Sequence, residues 1–169
     1  MMDIDFNSIE NLKENNFTGF FPISHLQETR CKDVAKIRGI YFVLHLLNTK
    51  PSFLENSIGG HYKGRNPTVN LEKLNMKWVK GVKVIYIGKT GGENSKESLK
   101  SRIWCYMRFG QGNPTAHWGG RYIWQIYDSN LLQICWKPIP NENPRDIEKN
   151  LIEKFENQFG QLPFANLQH

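Results

Sequence analysis

The sequence predicts an α+β domain with a small antiparallel three-stranded central sheet flanked by helices, plus an extra hairpin and a long insertion. Three observations predict it. Residues 39–47 and 82–87 are short, nearly all-apolar runs rich in β-branched and aromatic side chains, which describes strands better than helices. Two later segments, opening near Asn94 and Asn143, repeat apolar residues at helical intervals behind capping signals. The chain has 169 residues, 39% hydrophobic and 12% aromatic, enough to bury a core as one folded unit.

Taken in order, residues 1–30 read as an amino-terminal appendage packing on the core of the main domain, residues 31–169. Residues 3–16 are polar and suit at most one short helix, whereas Phe17, Phe20, Phe21, Ile23 and Leu26 are apolar enough to dock. The strand at 39–47 is followed by the insertion, residues 48–80, where Pro51, Gly59-Gly60, Gly64 and Asn66-Pro67 break any periodicity. A helical turn is expected at 71–78. The strand at 82–87 ends at Gly88 and Gly91-Gly92. Asn94 stands three residues before Glu97, a capping-box spacing, ahead of Leu99, Ile103, Tyr106 and Met107. Residues 121–127 and 131–137 look like a β-hairpin turning at Asp128-Ser129-Asn130. The final helix opens at Asn143-Pro144 and closes at Gly160.

Composition excludes several function classes. No apolar run approaches the roughly 18–20 residues that span a bilayer, and Met1-Met2-Asp3 opens no basic and apolar leader, so a cytoplasmic protein is expected. Cys31, Cys105 and Cys135 fit neither a disulfide framework nor a CxxC metal site, and His25, His45 and His169 have no partner at ligand spacing. No nucleophile elbow, phosphate-binding loop or dinucleotide fingerprint is present. Twenty-two Lys and Arg against 16 Asp and Glu give a net charge of +6, which suits a polyanionic partner without requiring one.

The final helix holds the most informative side chain. At about 100° per residue, Glu148 falls near 100° from Ile147, between Phe155 near 80° and Phe159 near 120°. A carboxylate on an apolar stripe is either a buried ion-pair partner or a metal-binding or catalytic group. Arg102 and Tyr106 are four apart and share a face of the preceding helix. A guanidinium beside a phenol suits a scissile phosphate, and equally an exposed arginine packing its stem on a ring. Tyr41 and Tyr86 sit in the two strands, where a tyrosine is commonly a core residue.

The tripeptides Gly39-Ile40-Tyr41 and Tyr86-Ile87-Gly88, followed by Lys89, Arg102 and Glu148, resemble the signature of the GIY-YIG nuclease family. Pro163-Phe164-Ala165-Asn166 is similar to that family's closing Pro-x-x-Asn, so the resemblance runs over about residues 39–166. It implies a metal-dependent endonuclease acting on nucleic acid, DNA before RNA, with one Mg²⁺ or Mn²⁺ held by Glu148. By the same resemblance, Tyr41 positions or deprotonates the attacking water with help from Tyr86. Lys89 and Arg102 neutralise phosphate charge, Tyr106 assists near the nucleophile or leaving group, and Asn166 braces the site. The chain departs from the family in the length of its insertion between the two tripeptides. There His61, Lys63 and Arg65 alternate in a Gly-flanked stretch that can track a phosphate backbone. Residues 117–122, with His117 and Arg121, read either as a further nucleic-acid contact or as a tight turn with Trp118 packed.

Overall fold

A computed structural model describes residues 3–92 and 94–168. The expectations placed on Met1-Met2 and on His169 lie outside them. In chain order the elements are α1 (Ile9–Glu14), β1 (Thr18–Pro22), α2 (Ile23–Glu28), β2 (Gly39–Leu44), α3 (Leu71–Lys77), β3 (Val84–Lys89), α4 (Leu99–Gly110), β4 (Gln133–Pro138) and α5 (Pro144–Phe159), with 3-10 turns at Tyr62–Gly64, Trp118–Gln125 and Ser129–Leu131.

Every residue of β2 is buried, as an apolar run with both faces covered requires. It pairs antiparallel with β3 on one side and β4 on the other, and β1 joins β4, giving a four-stranded sheet in the order β1-β4-β2-β3. The class is the expected α+β, but the sheet has four strands where three were expected. The fourth, β1, was hidden in the sequence by its irregularity: Gly19 and Phe20 both take positive φ, at 94° and 59°, across a register shift against β4.

The sheet divides the core in two. On one face, Tyr41, Val43 and Tyr86 pack with α2, α4 and residues 122–126; on the other, Ile40, Phe42 and Ile87 pack with α1 and α5. The β2–β3 register sets this division, with Tyr41 opposite Gly88 and Val43 opposite Tyr86. A shift before Leu44 then pairs that residue with Val84 and leaves Ile85 and Tyr86 both in the first cluster.

Other boundaries moved. The expected strand 39–47 stops at Leu44, after which Leu46 and Leu47 are exposed. The cap of α4 is Ser98, in a reciprocal box with Ser101, and not Asn94. The expected hairpin 121–127/131–137 does not form. Residues 118–125 turn as 3-10 helix, so Tyr122, Ile123 and Trp124 are buried in the core without a ladder partner, and only β4 is extended. A short apolar run fits either conformation. The α5 helix, by contrast, opens on the Asn143 cap with Pro144 at its first position and ends on Gly160 at φ 74°, as its signals predict.

The outer edge of β3 is covered by the carboxy-terminal segment. Ala165 N–H donates to Ile85 C=O at 2.9 Å. Ile87 N–H donates to Asn166 Oδ1 and Asn166 Nδ2 donates to Ile87 C=O, both at 2.9 Å, so a side-chain amide replaces a missing strand. Asn166→Ala leaves both backbone groups of Ile87 buried and unpaired. At roughly 1–3 kcal/mol for each such group, it should lower the unfolding free energy by several kcal/mol, read from denaturant melts of the variant and the wild type.

Candidate active site at the edge of the sheet

The β3 edge opens onto a cavity of about 950 Å³. Its walls carry Tyr86 and Lys89 from β3, Arg121 from the 3-10 segment, Arg145 and Glu148 from the first turns of α5, and Asn166. Five of the residues singled out in the sequence thus line one cavity. A second cleft, along Lys137, Ile147 and Leu151, holds none of them.

Tyr41 and Tyr106 do not reach the cavity; they form its buried backing, while Tyr86 keeps 7% of its surface exposed. Tyr41 Oη and His117 Nε2 share a hydrogen bond of 2.8 Å. The His117 ring stacks on Tyr106 at 3.7 Å and 5°, and Tyr106 Oη donates to Gly120 C=O at 2.5 Å. Rings of Tyr41 and Tyr86 meet edge-on at 6.0 Å. Two glycines make room: a Cβ on Gly88 would lie 2.3 Å from the Tyr41 ring, and one on Gly120 would lie 2.5 Å from the Tyr106 hydroxyl. Gly88 is therefore required by a close approach across the strand pair.

Burial controls the protonation of this cluster. Loss of solvent pushes Tyr41 and Tyr106 well above the ordinary phenol range. Tyr86 rises to about 12, burial being opposed by the nearby Arg102 guanidinium. Burial, reinforced by Arg102, drives His117 well below its usual value. At neutral pH the three phenols and the imidazole are all uncharged.

Arg102 lies beside the cluster rather than in the cavity wall. Its Nη1 donates to Ala116 C=O at 3.2 Å and stands 3.6 Å from Glu97, while Nε is buried without a partner. Burial works against its charge, but Tyr41, Glu97 and Tyr86 outweigh that and hold the guanidinium protonated. Glu148 is half-buried, and desolvation raises its pKa, opposed in order by Lys89, Arg102 and Arg145. Among the described residues no cationic group lies within 4.0 Å of Glu148, so the ion-pair alternative finds no contact partner. No group of three or more His, Cys, Asp or Glu gathers at one place among the described residues.

The remaining expected contacts divide. Arg65 from the insertion and Arg121 both stack on the Trp118 ring, at 4.4 and 4.5 Å, which brings the insertion to the rim of the cavity. Lys63 is exposed and lies over Tyr62 at 5.4 Å. His117, expected as a nucleic-acid contact, has no exposed surface and belongs to the tyrosine cluster. Arg145 and the packed role of His117 escaped the sequence reading; the one signal for the latter is the Gly119-Gly120 pair, which allows close approach. No family model, curated protein or solved structure matches the chain.

The raised pKa of Glu148 has a definite sign. A carboxyl whose folded pKa lies above its unfolded value favours folding when protonated, and that contribution is lost as pH rises through the folded pKa. Glu148→Gln should therefore raise the melting temperature at pH 7, with the gain vanishing toward pH 4, as calorimetry at the two pH values would show.

Proposed function

We propose that this chain is a metal-dependent endonuclease that hydrolyses phosphodiester bonds, with DNA as its substrate. The observation that carries the reading is the cavity at the β3 edge, where one half-buried carboxylate without a contact partner faces Lys89, Arg121 and Arg145. A cavity lined by more cations than carboxylates suits a polyanion. The resemblance of the two tripeptides, and of Arg102, Glu148 and Asn166, to the GIY-YIG signature points the same way.

A divalent cation fits this donor set only in one manner. A zinc-type site needs several nitrogen or sulfur ligands together, which the described residues do not offer. Mg²⁺ or Mn²⁺ accepts one carboxylate with water and phosphate oxygens completing the shell, and Glu148 would hold it there. When bound, such an ion supplies Lewis-acid stabilisation of charge on the phosphate.

The protein's own groups do the rest. Lys89, Arg121 and Arg145 bind and orient the phosphodiester in the cavity, and Arg102 adds its field from behind. Tyr86, at the wall, holds the attacking water, with Tyr41 fixed behind it. Asn166 holds the backbone of Ile87 between Tyr86 and Lys89, which keeps both side chains aimed at the same space. Water attacks phosphorus, one P–O ester bond breaks, and a phosphate monoester and a hydroxyl end result.

Supercoiled plasmid incubated with the purified chain and Mg²⁺ or Mn²⁺ tests this. Nicking that EDTA abolishes is expected, and Glu148→Gln should slow it by orders of magnitude while DNA affinity is retained. A mobility shift without nicking would instead identify a catalytically silent nucleic-acid-binding module; neither effect would leave a protein-binding one.

The Trp118 stack supplies a separate expectation. If Arg65 and Arg121 each neutralise a phosphate, Arg65→Ala/Arg121→Ala should make the log–log salt dependence of DNA binding shallower by about 1.8, at roughly 0.9 per lost contact. An unchanged slope would place the insertion away from nucleic acid.

A further inference from the structure

The rim of the cavity carries aromatic rings as well as cations. Trp118 is half-buried, lines the cavity wall and meets the Phe109 ring at 6.5 Å. Arg65 and Arg121 lie over its ring, at 4.4 and 4.5 Å. The wall beside it is open, since a Cβ on Gly119 would meet nothing within 4 Å. Tyr62, from the insertion, is a second half-buried ring, packed on the core and carrying Lys63 at 5.4 Å. A tight turn with Lys63 and Gly64 at positive φ, 52° and 72°, separates Tyr62 from Arg65. It closes with Arg65 N–H donating to Tyr62 C=O at 3.1 Å. Two rings and three cations thus follow one another along the rim.

No acid holds these cations in place. Among the described residues, none of Lys63, Arg65 and Arg121 has a carboxylate within 4.0 Å. A cation on an exposed ring face is held weakly enough for a phosphate to draw it away. Binding to a duplex backbone needs cations alone, and bases stacked within a duplex have no free face for a protein ring. Rings interleaved with cations suit unpaired nucleotides, whose phosphates take the charges while their bases stack. The cavity, at about 950 Å³, also exceeds a single phosphodiester group and has room for an attached nucleoside.

With the cavity taken as the cleavage site proposed above, we infer that Trp118 and Tyr62 are stacking positions for unpaired bases. The chain then binds DNA that carries a single-stranded segment beside the bond in the cavity. As a base reaches the Trp118 ring, Arg65 and Arg121 turn to the phosphates that flank it. The Tyr62 ring takes a neighbouring base, and Lys63 its phosphate. Gly60 N–H donates to Phe109 C=O at 2.9 Å just ahead of Tyr62, so both rings are tied to the same part of the core.

Binding in EDTA tests the stacking without any cleavage. Wild type is titrated into a blunt duplex and into the same duplex with a single-stranded tail of about ten nucleotides. The tail carries 2-aminopurine, whose fluorescence falls when the base stacks on a ring. The tailed duplex should bind about 10²-fold more tightly, with quenching in the tail. Trp118→Leu and Tyr62→Leu keep an apolar side chain for the core but offer no ring. Each should cut the preference for the tailed duplex about 10-fold, while Trp118→Phe keeps most of it. Equal wild-type affinity for the two DNAs, or no quenching, overturns the stacking. So does an equal loss on both DNAs in the leucine variants, which would make the rings mere supports for the arginines. Should those variants fail to fold, the wild-type preference and quenching decide. Cleavage is read separately with Mg²⁺ or Mn²⁺ added. EDTA-sensitive nicking with no tail preference in binding removes the stacking and leaves the nuclease reading standing. Tail preference and quenching without nicking overturn the nuclease reading and leave a single-strand-binding site.

Discussion

The site depends on one close approach: the ring of Tyr41 lies across Gly88, on the strand directly opposite. Any side chain at Gly88 would occupy the space of that ring, so the glycine sets where the Tyr41 hydroxyl can go. That hydroxyl fixes His117, the His117 ring lies flat on Tyr106, and Tyr106 in turn binds the carbonyl of Gly120. Each step is a short contact between buried groups that water cannot replace, so the cluster has one arrangement rather than several. The 3-10 segment 118–125 inherits its position from it. So does Arg121 at the cavity rim, because Gly120 is held from below.

Much of this was legible in the sequence where local signals and tertiary needs agree. The apolar runs carrying Tyr41 and Tyr86 became buried antiparallel strands, and α5 kept the ends its Asn143, Pro144 and Gly160 announce. Glu148 is half-buried, as its place among Ile147, Phe155 and Phe159 on the helical wheel suggests. What was not legible depends on partners distant in the chain. The β1 strand is five residues long with a positive-φ pair in it, and only β4 gives it a ladder. Residues 121–127 have strand composition, but β2 already occupies one edge of β4 and β1 takes the other. No edge of β4 is left for them to form the hairpin. The burial of His117 follows from stacking on Tyr106, which no spacing rule encodes.

Charge and burial act in opposite directions around Glu148 and Arg102, and this keeps the cavity ready for an anion. Glu148 is raised by desolvation and partly restored by Lys89, Arg102 and Arg145. A direct ion pair would satisfy the carboxylate and remove it from use; cations held beyond contact distance keep it partly stabilised and still open to a ligand. Arg102 shows the same economy. Its ion pair with Glu97 is long, at 3.6 Å and only partly buried, while its field reaches Tyr41, Tyr86, His117 and Glu148. A group that acts through its field need not touch each residue it influences.

Ahead of α3, the insertion is bound to the fold largely through its backbone. Leu54 N–H donates to Gln125 C=O at 2.7 Å and Ile58 N–H to Trp124 C=O at 3.1 Å, while the Gln125 side chain accepts from Val69 N–H and donates to Leu54 and Val69 carbonyls. Gly60 packs so closely on the backbone of Asn113 that a Cβ there would lie 1.9 Å from its carbonyl oxygen. These bonds all run to residues 109–125, the same stretch that holds His117 and Trp118. The insertion and His117 are thus held by one piece of chain. Arg65 reaches Trp118 because the insertion is anchored beside it. A long connection between β2 and β3 lets the chain add a cationic rim to the cavity while the strand pair that carries the tyrosines stays unchanged.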